Sequence, residues 1–245
     1  MIKENKTSKY LLYAVGEIIL VVIGILIALQ INNWNEERKT QNNQEKYLIL
    51  LKKEAVNNLK SLNKSQEFVT RLHKGQEKLM RLLNGDLDTI TESYTAEVLL
   101  ENFYSTSKFN YQNNVLAELK TTGELKNIAN DSIRSQLMNQ EIIVEKVKRQ
   151  ESGVYKFFEK ANDMIEVYGS QRKVEEAAAK RQNRDFPESK RMFSNIPVVK
   201  MREFENITIS YTGTTHNLFS NHYQNLEKHF DTLIKSINEE LNQLK

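Results

Sequence analysis

One stretch near the start of the chain is almost wholly apolar, and no later part of the sequence resembles it. The segment Tyr10–Ile31 has 22 residues, and only Glu17 and Gln30 interrupt its apolar character. At about 1.5 Å per residue, a helix of this length spans roughly 33 Å, enough to cross a hydrocarbon layer of about 30 Å. Core helices of soluble proteins are usually shorter. The pattern therefore predicts a membrane-spanning helix.

The flanks of this segment support the same interpretation. Tyr10 and Tyr13 lie at one end, and Trp34, the only tryptophan, lies just past the other. Aromatic side chains of this kind are enriched at the two membrane–water interfaces, so we expect these three to act as interface anchors. The apolar run is longer than that of a signal peptide, and no small-residue cleavage pattern follows it. We therefore expect an uncleaved anchor.

Charge around the segment gives an orientation. Lys3, Lys6 and Lys9 precede the span, whereas asparagines and glutamates follow it before Arg38 and Lys39. The positive-inside rule then favours a cytoplasmic N-terminus, with the large C-terminal domain outside the inner membrane. On this basis the chain divides into a tail, a transmembrane helix and an extramembrane helical domain: residues 1–9, 10–32 and 33–245.

Glu17 is the unexpected residue of the span. The span holds fourteen Leu, Ile and Val residues, which together favour insertion by roughly 4–8 kcal/mol. A central acidic residue opposes insertion by about 2.5–3.5 kcal/mol. Insertion is therefore expected despite the carboxylate. Intramembrane carboxylates often serve function, so Glu17 is also a candidate ion or proton site.

A stripe of mostly small residues shares a helix face with this carboxylate. Steps of three and four residues place Ala14, Glu17, Val21, Gly24 and Ala28 in line. Small residues let helix backbones approach closely, and a polar group within lipid needs a partner. This stripe, called the seam below, predicts self-association through the membrane helix. Chance remains the alternative explanation, because Ala and Gly are common in membrane helices.

The sequence from Tyr13 to Ile18 and again from Ile31 to Glu36, YAVGEI and INNWNE, resembles an uncharacterised family of Bacteroidetes single-pass membrane proteins. The resemblance is specific over about residues 9–40. It implies a membrane helix at the N-terminus, a helical remainder and an origin in such a bacterium. It implies no activity.

Apolar residues recur at helical spacing through most of the remaining chain. Neither Gly nor Pro occurs between Gly24 and Gly75, so we expect the membrane helix to continue into the next helix despite a polar, asparagine-rich stretch after Ile31. This first helix is predicted to end at Asn84-Gly85-Asp86. A second helix is predicted over Glu92–Ser105, with Thr91 as its cap, and a short one over Val115–Thr122, ended by Gly123. A long helix is then predicted from Asn130-Asp131-Ser132 to Tyr168, and a last one over Arg202–Leu244, with a possible kink at Gly213.

Two further expectations concern helical faces. The second long helix is expected to bury the residues Ile133, Leu137, Ile142, Val144, Val147, Tyr155, Phe158 and Ile165. The charged residues Lys146, Lys148, Arg149 and Glu151 indicate a solvated face on the same helix. Residues 170–197 have the composition least typical of ordered structure, although Val174–Gln182 can form a short helix.

Composition fixes the fold class. With 2 prolines and 8 glycines in 245 residues, the chain has too few turn residues for an all-β fold. The prediction is all-α: an N-terminal transmembrane helix followed by an elongated antiparallel helical bundle. The absence of cysteine excludes disulfides and thiolate chemistry. A net charge of +3 with both signs interspersed gives no indication of a nucleic-acid partner.

No motif for catalysis or cofactor binding is present in the sequence. The spacings of His216, His222 and His229 are six and seven residues, whereas helical zinc ligands favour three or four, so we expect no metal site, cofactor or catalytic residue. Adjacent carboxylates such as Glu239 and Glu240 point to different helix faces and cannot cooperate.

Three functions are compatible with these features. The first is a non-enzymatic membrane-anchored scaffold that binds the lipid bilayer, forms a homo-oligomer and organises another envelope protein. The second is a transport, ion-channel or proton-coupled subunit that uses Glu17. The third, a ligand sensor, is disfavoured because a tail of nine residues cannot transmit a signal alone.

Overall fold

One continuous helix of 79 residues, α1 (Lys6–Asn84), dominates the structure. The computed structural model describes residues 6–85, 89–187, 190–191 and 193–244, with side chains from Tyr10 onward. Residues 1–5 of the predicted tail, and Asp86 of the predicted stop signal, lie outside the described residues. At about 1.5 Å per residue α1 is roughly 120 Å long. The apolar segment (residues 10–31) therefore continues without a break into the rest of the protein, as expected from the sequence.

The remaining elements are also helical, and the described part of the chain contains no β-strand, which confirms the all-α fold class. They are α2 (Glu92–Phe103), α3 (Asn114–Thr122), a 3₁₀ turn (Glu124–Asn127), α4 (Asp131–Tyr168), α5 (Gln171–Arg181), α6 (Ile196–Val199), α7 (Arg202–Asn217), a π-helical turn (Leu218–Tyr223) and α8 (Gln224–Gln243).

The long helices pack in an antiparallel arrangement. Helix α8 runs against α1, because Gln44 bonds Glu240 at one end while Gln66 bonds Glu227 further along. The helices α7 and α8 also run against α4, where Gln136 donates to the Ser236 hydroxyl and Gln150 donates to the Thr214 carbonyl. α1 and α4 are consequently parallel, and the chain must return along the bundle between them.

The chain returns through helices α2 and α3, which together form the second arm of the bundle and are separated by a non-helical stretch. Helix α2 lies against the far part of α1, where a Cβ added at Gly75 would be 3.2 Å from the carbonyl oxygen of Glu101. Residues 105–113 form no helix. Helix α3 then packs near the start of the bundle, where Glu54 of α1 accepts hydrogen bonds from the backbone N–H groups of Val115 and Leu116. In the described part of the chain, the bundle therefore has four arms: α1, α2 with α3, α4, and α7 with α8. The second arm is interrupted at residues 105–113.

The signals for helix ends in the sequence are confirmed. The Thr91 side chain accepts from the Tyr94 N–H, and the Asn130 side chain accepts from the N–H groups of Ser132 and Ile133. Gly123 ends α3 with a φ of 75°, a left-handed conformation that glycine adopts at no steric cost. Local side-chain chemistry was sufficient to locate these boundaries.

Two expectations about the long helices were wrong. Ile142 is 56% exposed, because it lies two residues before buried Val144 and therefore on the opposite side of α4. The last helix is interrupted at Leu218–Tyr223 and not at Gly213. Buried positions in this helix recur every three or four residues, except for a gap of five between Leu218 and Tyr223. The wider π turn accommodates that gap and keeps both side chains in the core.

The segment of least ordered composition is only partly helical. Helix α5 covers Gln171–Arg181, close to the short helix expected there. The connection after α4 is held by Asn195, which is fully buried. Its side chain accepts from the Ser170 N–H at 2.7 Å and donates to the Ser170 carbonyl at 3.1 Å. Buried hydrogen bonds thus order a region whose composition gives little indication of structure.

Candidate functional site

The apolar segment projects from the bundle with nothing covering it. Its residues are exposed from Tyr10 to Ile31 apart from a half-buried Gly16, and its most apolar 18-residue window has a mean hydropathy of 2.7 with none of it buried. By length and composition this is a helix able to cross a membrane. A surface of this size and hydrophobicity is stable only when lipid or another apolar helix covers it.

The predicted seam forms one face of this segment. Because α1 is unbroken, Ala14, Glu17, Val21, Gly24 and Ala28 follow one another in steps of three and four along the same side. A Cβ added at Gly24 would meet nothing within 4 Å, so the glycine leaves a shallow notch. Among the described residues, Glu17 has no hydrogen-bond or ion-pair partner. The seam is therefore available to a second molecule.

The predicted interface anchors lie at the two ends of the same helix. Tyr10, Tyr13 and Trp34 are all well exposed, at 74%, 78% and 62%. Trp34 comes 21 positions after Tyr13 in the sequence, which corresponds to about 32 Å along the helix, close to the thickness of a hydrocarbon layer. The spacing is compatible with one aromatic ring at each interface.

A short exposed neck joins the apolar segment to the bundle. Residues 32–43 are helical and exposed, and Gln44 is the first buried side chain. Beyond the neck the same helix contributes a buried stripe to the bundle, beginning with Leu48 and Leu51. The apolar segment and the bundle core thus share one helix, with no proline or glycine in the neck that would act as a hinge.

The most buried acidic group lies at the break in the second arm. Glu151 of α4 is 5% exposed, so the expectation of a solvated face was wrong for this residue. One of its carboxylate oxygens accepts from the Phe109 N–H and from the Tyr223 hydroxyl, each at 2.7 Å. Burial raises the pKa of Glu151, while the two hydrogen bonds and the neighbouring Lys108 and Lys148 act in the opposite direction.

This carboxylate joins three parts of the bundle. Phe109 belongs to the non-helical stretch of residues 105–113, whose N–H groups lack helical partners, and Tyr223 ends the π turn. Asn58 of α1 serves the same stretch, because its side chain donates to the Gln112 carbonyl and accepts from the Gln112 N–H. Buried backbone groups require such partners. The arrangement therefore accounts for these polar residues as structural, without a ligand.

A groove between α1 and α7 is different, because four polar atoms of its lining residues His73, Gln76 and Thr212 are buried without a hydrogen-bond partner. It encloses about 730 Å³ and is lined by His73, Gln76, Glu77, Met80, Arg81, Thr212, Gly213 and His216. The ring centroids of His73 and His216 are 6.0 Å apart. Burial, and secondarily His216, lower the pKa of His73, whereas Glu77 opposes this shift. Sequence spacing could not reveal this pair, because its members lie on different helices.

A smaller groove of about 400 Å³ runs between α1, α2 and α5, and it is rich in basic side chains. Its carboxylate, Glu101, is already paired with Lys78 at 2.7 Å and with Arg181 at 3.6 Å. Glu101 therefore already has two basic partners, and ion pairs of such exposed basic side chains contribute little to stability.

The other histidines are not brought together. His222 and His229 stay apart from His216 along α7, the π turn and α8, and burial lowers the pKa of both. Within the described residues, no three His, Cys, Asp or Glu side chains form a group that could hold a metal ion.

Comparison with known proteins gives one match. A family model described as a family of unknown function, DUF6090, matches residues 17–203, about three quarters of the chain. The match starts at Glu17 and extends far beyond the N-terminal segment, through α5 and into α7. No curated protein and no solved structure matches the chain. The chain therefore belongs to the DUF6090 family of unknown function.

Proposed function

We propose that this protein is a membrane-anchored scaffold of the bacterial envelope that self-associates through the seam of its membrane helix. The observation that carries the proposal is the wholly exposed apolar segment, which continues as the same helix into the bundle core. A helix of this length and hydropathy is stable in a bilayer. Its rigid continuation would hold the bundle at a fixed distance from the membrane, where it can bind another envelope protein.

Insertion in the membrane, orientation and location are inferred from the sequence. The aromatic flanks support insertion in a membrane, and the lysines before the span favour a cytoplasmic N-terminus with a periplasmic bundle. The resemblance of the N-terminal segment to the Bacteroidetes family supports a membrane protein of such a bacterium, and the inner membrane is the location that fits the proposed orientation. The neck of about 18 Å would separate the bundle from the membrane surface.

Self-association is supported by the seam. Gly24 leaves a notch that a second helix can enter, and the unpartnered Glu17 would gain a hydrogen-bonding partner across a symmetric interface. The competing function is proton or ion transport through Glu17. We favour association, because no second carboxylate, histidine or lysine lies in the apolar segment to relay a proton.

Substitutions in the seam separate these two functions. Gly24→Leu is expected to abolish most of the cross-linked oligomer in native membranes, because the larger side chain blocks close backbone approach. Glu17→Gln is expected to weaken it only slightly, since an amide retains hydrogen bonding worth about 1 kcal/mol between membrane helices. The measurement is the cross-linked fraction at equal expression.

Val22→Leu is the matched control, because residue 22 lies about 160° around the helix from Gly24. It adds bulk to the opposite face and is expected to leave the oligomer unchanged. Equal loss in both variants would contradict a defined seam. A proton flux in liposomes that disappears in Glu17→Gln would instead establish transport.

The orientation has its own test. A reporter that is active only outside the cytoplasm is expected to be active when fused after Lys245 and inactive when fused at the N-terminal end. A cytoplasmic reporter at the same two positions should give the reverse pattern. If both reporters report the opposite side, the orientation is wrong and the bundle is cytoplasmic.

A further inference from the structure

We propose that the groove between α1, α2 and α5 is a binding site for a small phosphomonoester, whose phosphate group is held by Arg71 and Lys74 together with Lys78 and Arg181. The proposal is independent of the membrane scaffold function. It rests on the concentration of positive charge around one concave volume, and on two cations there that have no partner within the described part of the chain.

Positive charge is concentrated in this groove. Four basic side chains and one carboxylate line its volume of about 400 Å³, so its excess of three positive charges equals the net charge of the whole chain, +3. Arg71, Lys74 and Lys78 belong to α1, and Arg181 belongs to α5. A cleft lined by one sign of charge focuses the electric field and raises the local concentration of oppositely charged ligands. The groove therefore favours an anion.

The single carboxylate leaves two of the four cations unpaired. One oxygen of Glu101 lies 2.7 Å from the Lys78 Nζ and 3.6 Å from the Arg181 Nη1, so it holds these two cations in place from different helices. Arg71 and Lys74 form no hydrogen bond or ion pair with any residue that the structure describes. Both side chains are exposed, so their charged ends can meet a ligand that enters from solvent. They lie one helical turn apart and can bind the same group.

The charge of the unpaired cations selects the class of ligand. A phosphomonoester carries about −1.5 to −2 charges at pH 7 and three acceptor oxygens, whereas a carboxylate carries a single charge. One phosphate group can therefore neutralise both Arg71 and Lys74. The planar guanidinium of Arg71 can donate two parallel hydrogen bonds to phosphate oxygens, and the ammonium of Lys74 acts as a point charge.

The rest of the groove is suited to the organic part of such a ligand. Its lining includes the buried apolar side chains of Leu72, Leu100 and Ala178. The aromatic rings of Phe68 and Tyr104 also line it. Small-molecule sites are typically about 300–1,000 Å³, with apolar walls and a few polar groups that fix orientation. A volume of about 400 Å³ fits a small phosphorylated molecule.

A free phosphomonoester, and not a lipid headgroup, is the source that the geometry favours. Arg71 comes 40 positions after Ile31, which corresponds to about 60 Å along the unbroken helix α1. A headgroup at the surface of a membrane that holds the apolar segment would be too distant to enter the groove. Only this step of the proposal depends on the membrane location.

Isothermal titration of the full chain in detergent tests the site. Phenyl phosphate is the probe, because it joins a phosphomonoester to an aromatic ring, and benzoate at equal ionic strength is the monoanion for comparison. We expect one phenyl phosphate per chain and binding of benzoate at least about tenfold weaker. Arg71→Gln and Lys74→Gln are each expected to weaken phenyl phosphate binding about tenfold, because each removes a charge-assisted hydrogen bond.

A second titration separates the two sources of phosphate. In liposomes that contain phosphatidic acid, the protein is expected to bind phenyl phosphate as it does in liposomes of phosphatidylcholine alone. Competition by phosphatidic acid would overturn the assignment to a free ligand.

Lys53→Gln and Lys60→Gln are the matched controls, because both are exposed lysines of α1 that do not line the groove. Each makes the same change of charge on the same helix and is expected to leave the affinity unchanged. Arg71 and Lys74 are exposed, so their variants should fold normally, and an unchanged far-ultraviolet circular dichroism spectrum would verify this. Absence of saturable binding, equal affinity for benzoate, full affinity in Arg71→Gln and Lys74→Gln, or an equal loss in the controls would each overturn the proposal.

Discussion

Replacing Glu151 by alanine is expected to lower the free energy of unfolding by about 3 kcal/mol. The substitution removes the carboxylate that accepts from the Phe109 N–H and the Tyr223 hydroxyl. Both donors would remain buried without a partner, and the break in the second arm would lose its attachment to α4. Urea unfolding of the detergent-solubilised protein, followed by circular dichroism, measures the change.

Glu151→Gln separates hydrogen bonding from charge. The amide oxygen can accept both hydrogen bonds, so at neutral pH this variant is expected to be within about 1 kcal/mol of the unchanged protein. Burial raises the pKa of Glu151 above its ordinary value of 4.5. At a pH between the ordinary pKa of 4.5 and the raised pKa of the folded protein, Glu151 keeps a proton in the folded state that it has lost in the unfolded state. Its contribution to stability is therefore complete below pH 4.5 and decreases as the pH rises through the raised pKa.

As the pH increases from 4.5 to 7, the free energy of unfolding of the unchanged protein should consequently fall relative to that of Glu151→Gln. Glu145→Ala serves as the control on the same helix, since Glu145 is exposed and forms only a surface ion pair with Lys148. We expect a change of less than about 0.5 kcal/mol there. A comparable loss in both alanine variants would contradict the buried role of Glu151.

Local patterns in the sequence were enough to predict much of the fold. The apolar segment, the ends of the helices and most buried stripes depend on residues within a few positions of one another. Thr91, Asn130 and Gly123 are examples, because each acts on backbone groups of its own helix end. These signals were correct because the capping interactions require no knowledge of tertiary contacts.

Features that depend on distant residues could not be predicted in this way. Glu151 lies 42 residues from Phe109 and 72 from Tyr223, and the charged residues Lys148 and Arg149 lie shortly before it in the sequence. Its burial follows only from the break in the second arm. The pair of His73 and His216 is equally non-local. The π turn belongs with these features, since the gap of five between buried Leu218 and Tyr223 is seen only when the buried positions are known.

The seam differs from both cases. Its residues lie on one face because the helix is continuous, and this needed only the sequence period. Whether a second helix occupies that face depends on another molecule, so the seam stays a prediction. The exposed notch at Gly24 makes close approach sterically possible.

Gly169→Ala is expected to lower the free energy of unfolding by about 2–3 kcal/mol. A Cβ at this position would overlap the Oδ1 atom of Asn195 and lie 2.9 Å from a methyl group of Val198. Asn195 cannot move without loss of its two hydrogen bonds with Ser170, which fix the connection between α4 and α5. Its backbone N–H also donates to Glu92 at 2.8 Å, so the disturbance would reach α2.

Gly213→Ala is the same substitution at a site where the added methyl group has free space. Gly213 lies within α7, and a Cβ there would meet nothing within 4 Å. The substitution is expected to stabilise the protein by about 0.5–1 kcal/mol, because alanine favours helix more than glycine does. Urea unfolding of both variants under identical conditions should therefore give changes of opposite sign. Destabilisation of similar size in both would show that glycine flexibility, and not the contact with Asn195, is what the fold requires at residue 169.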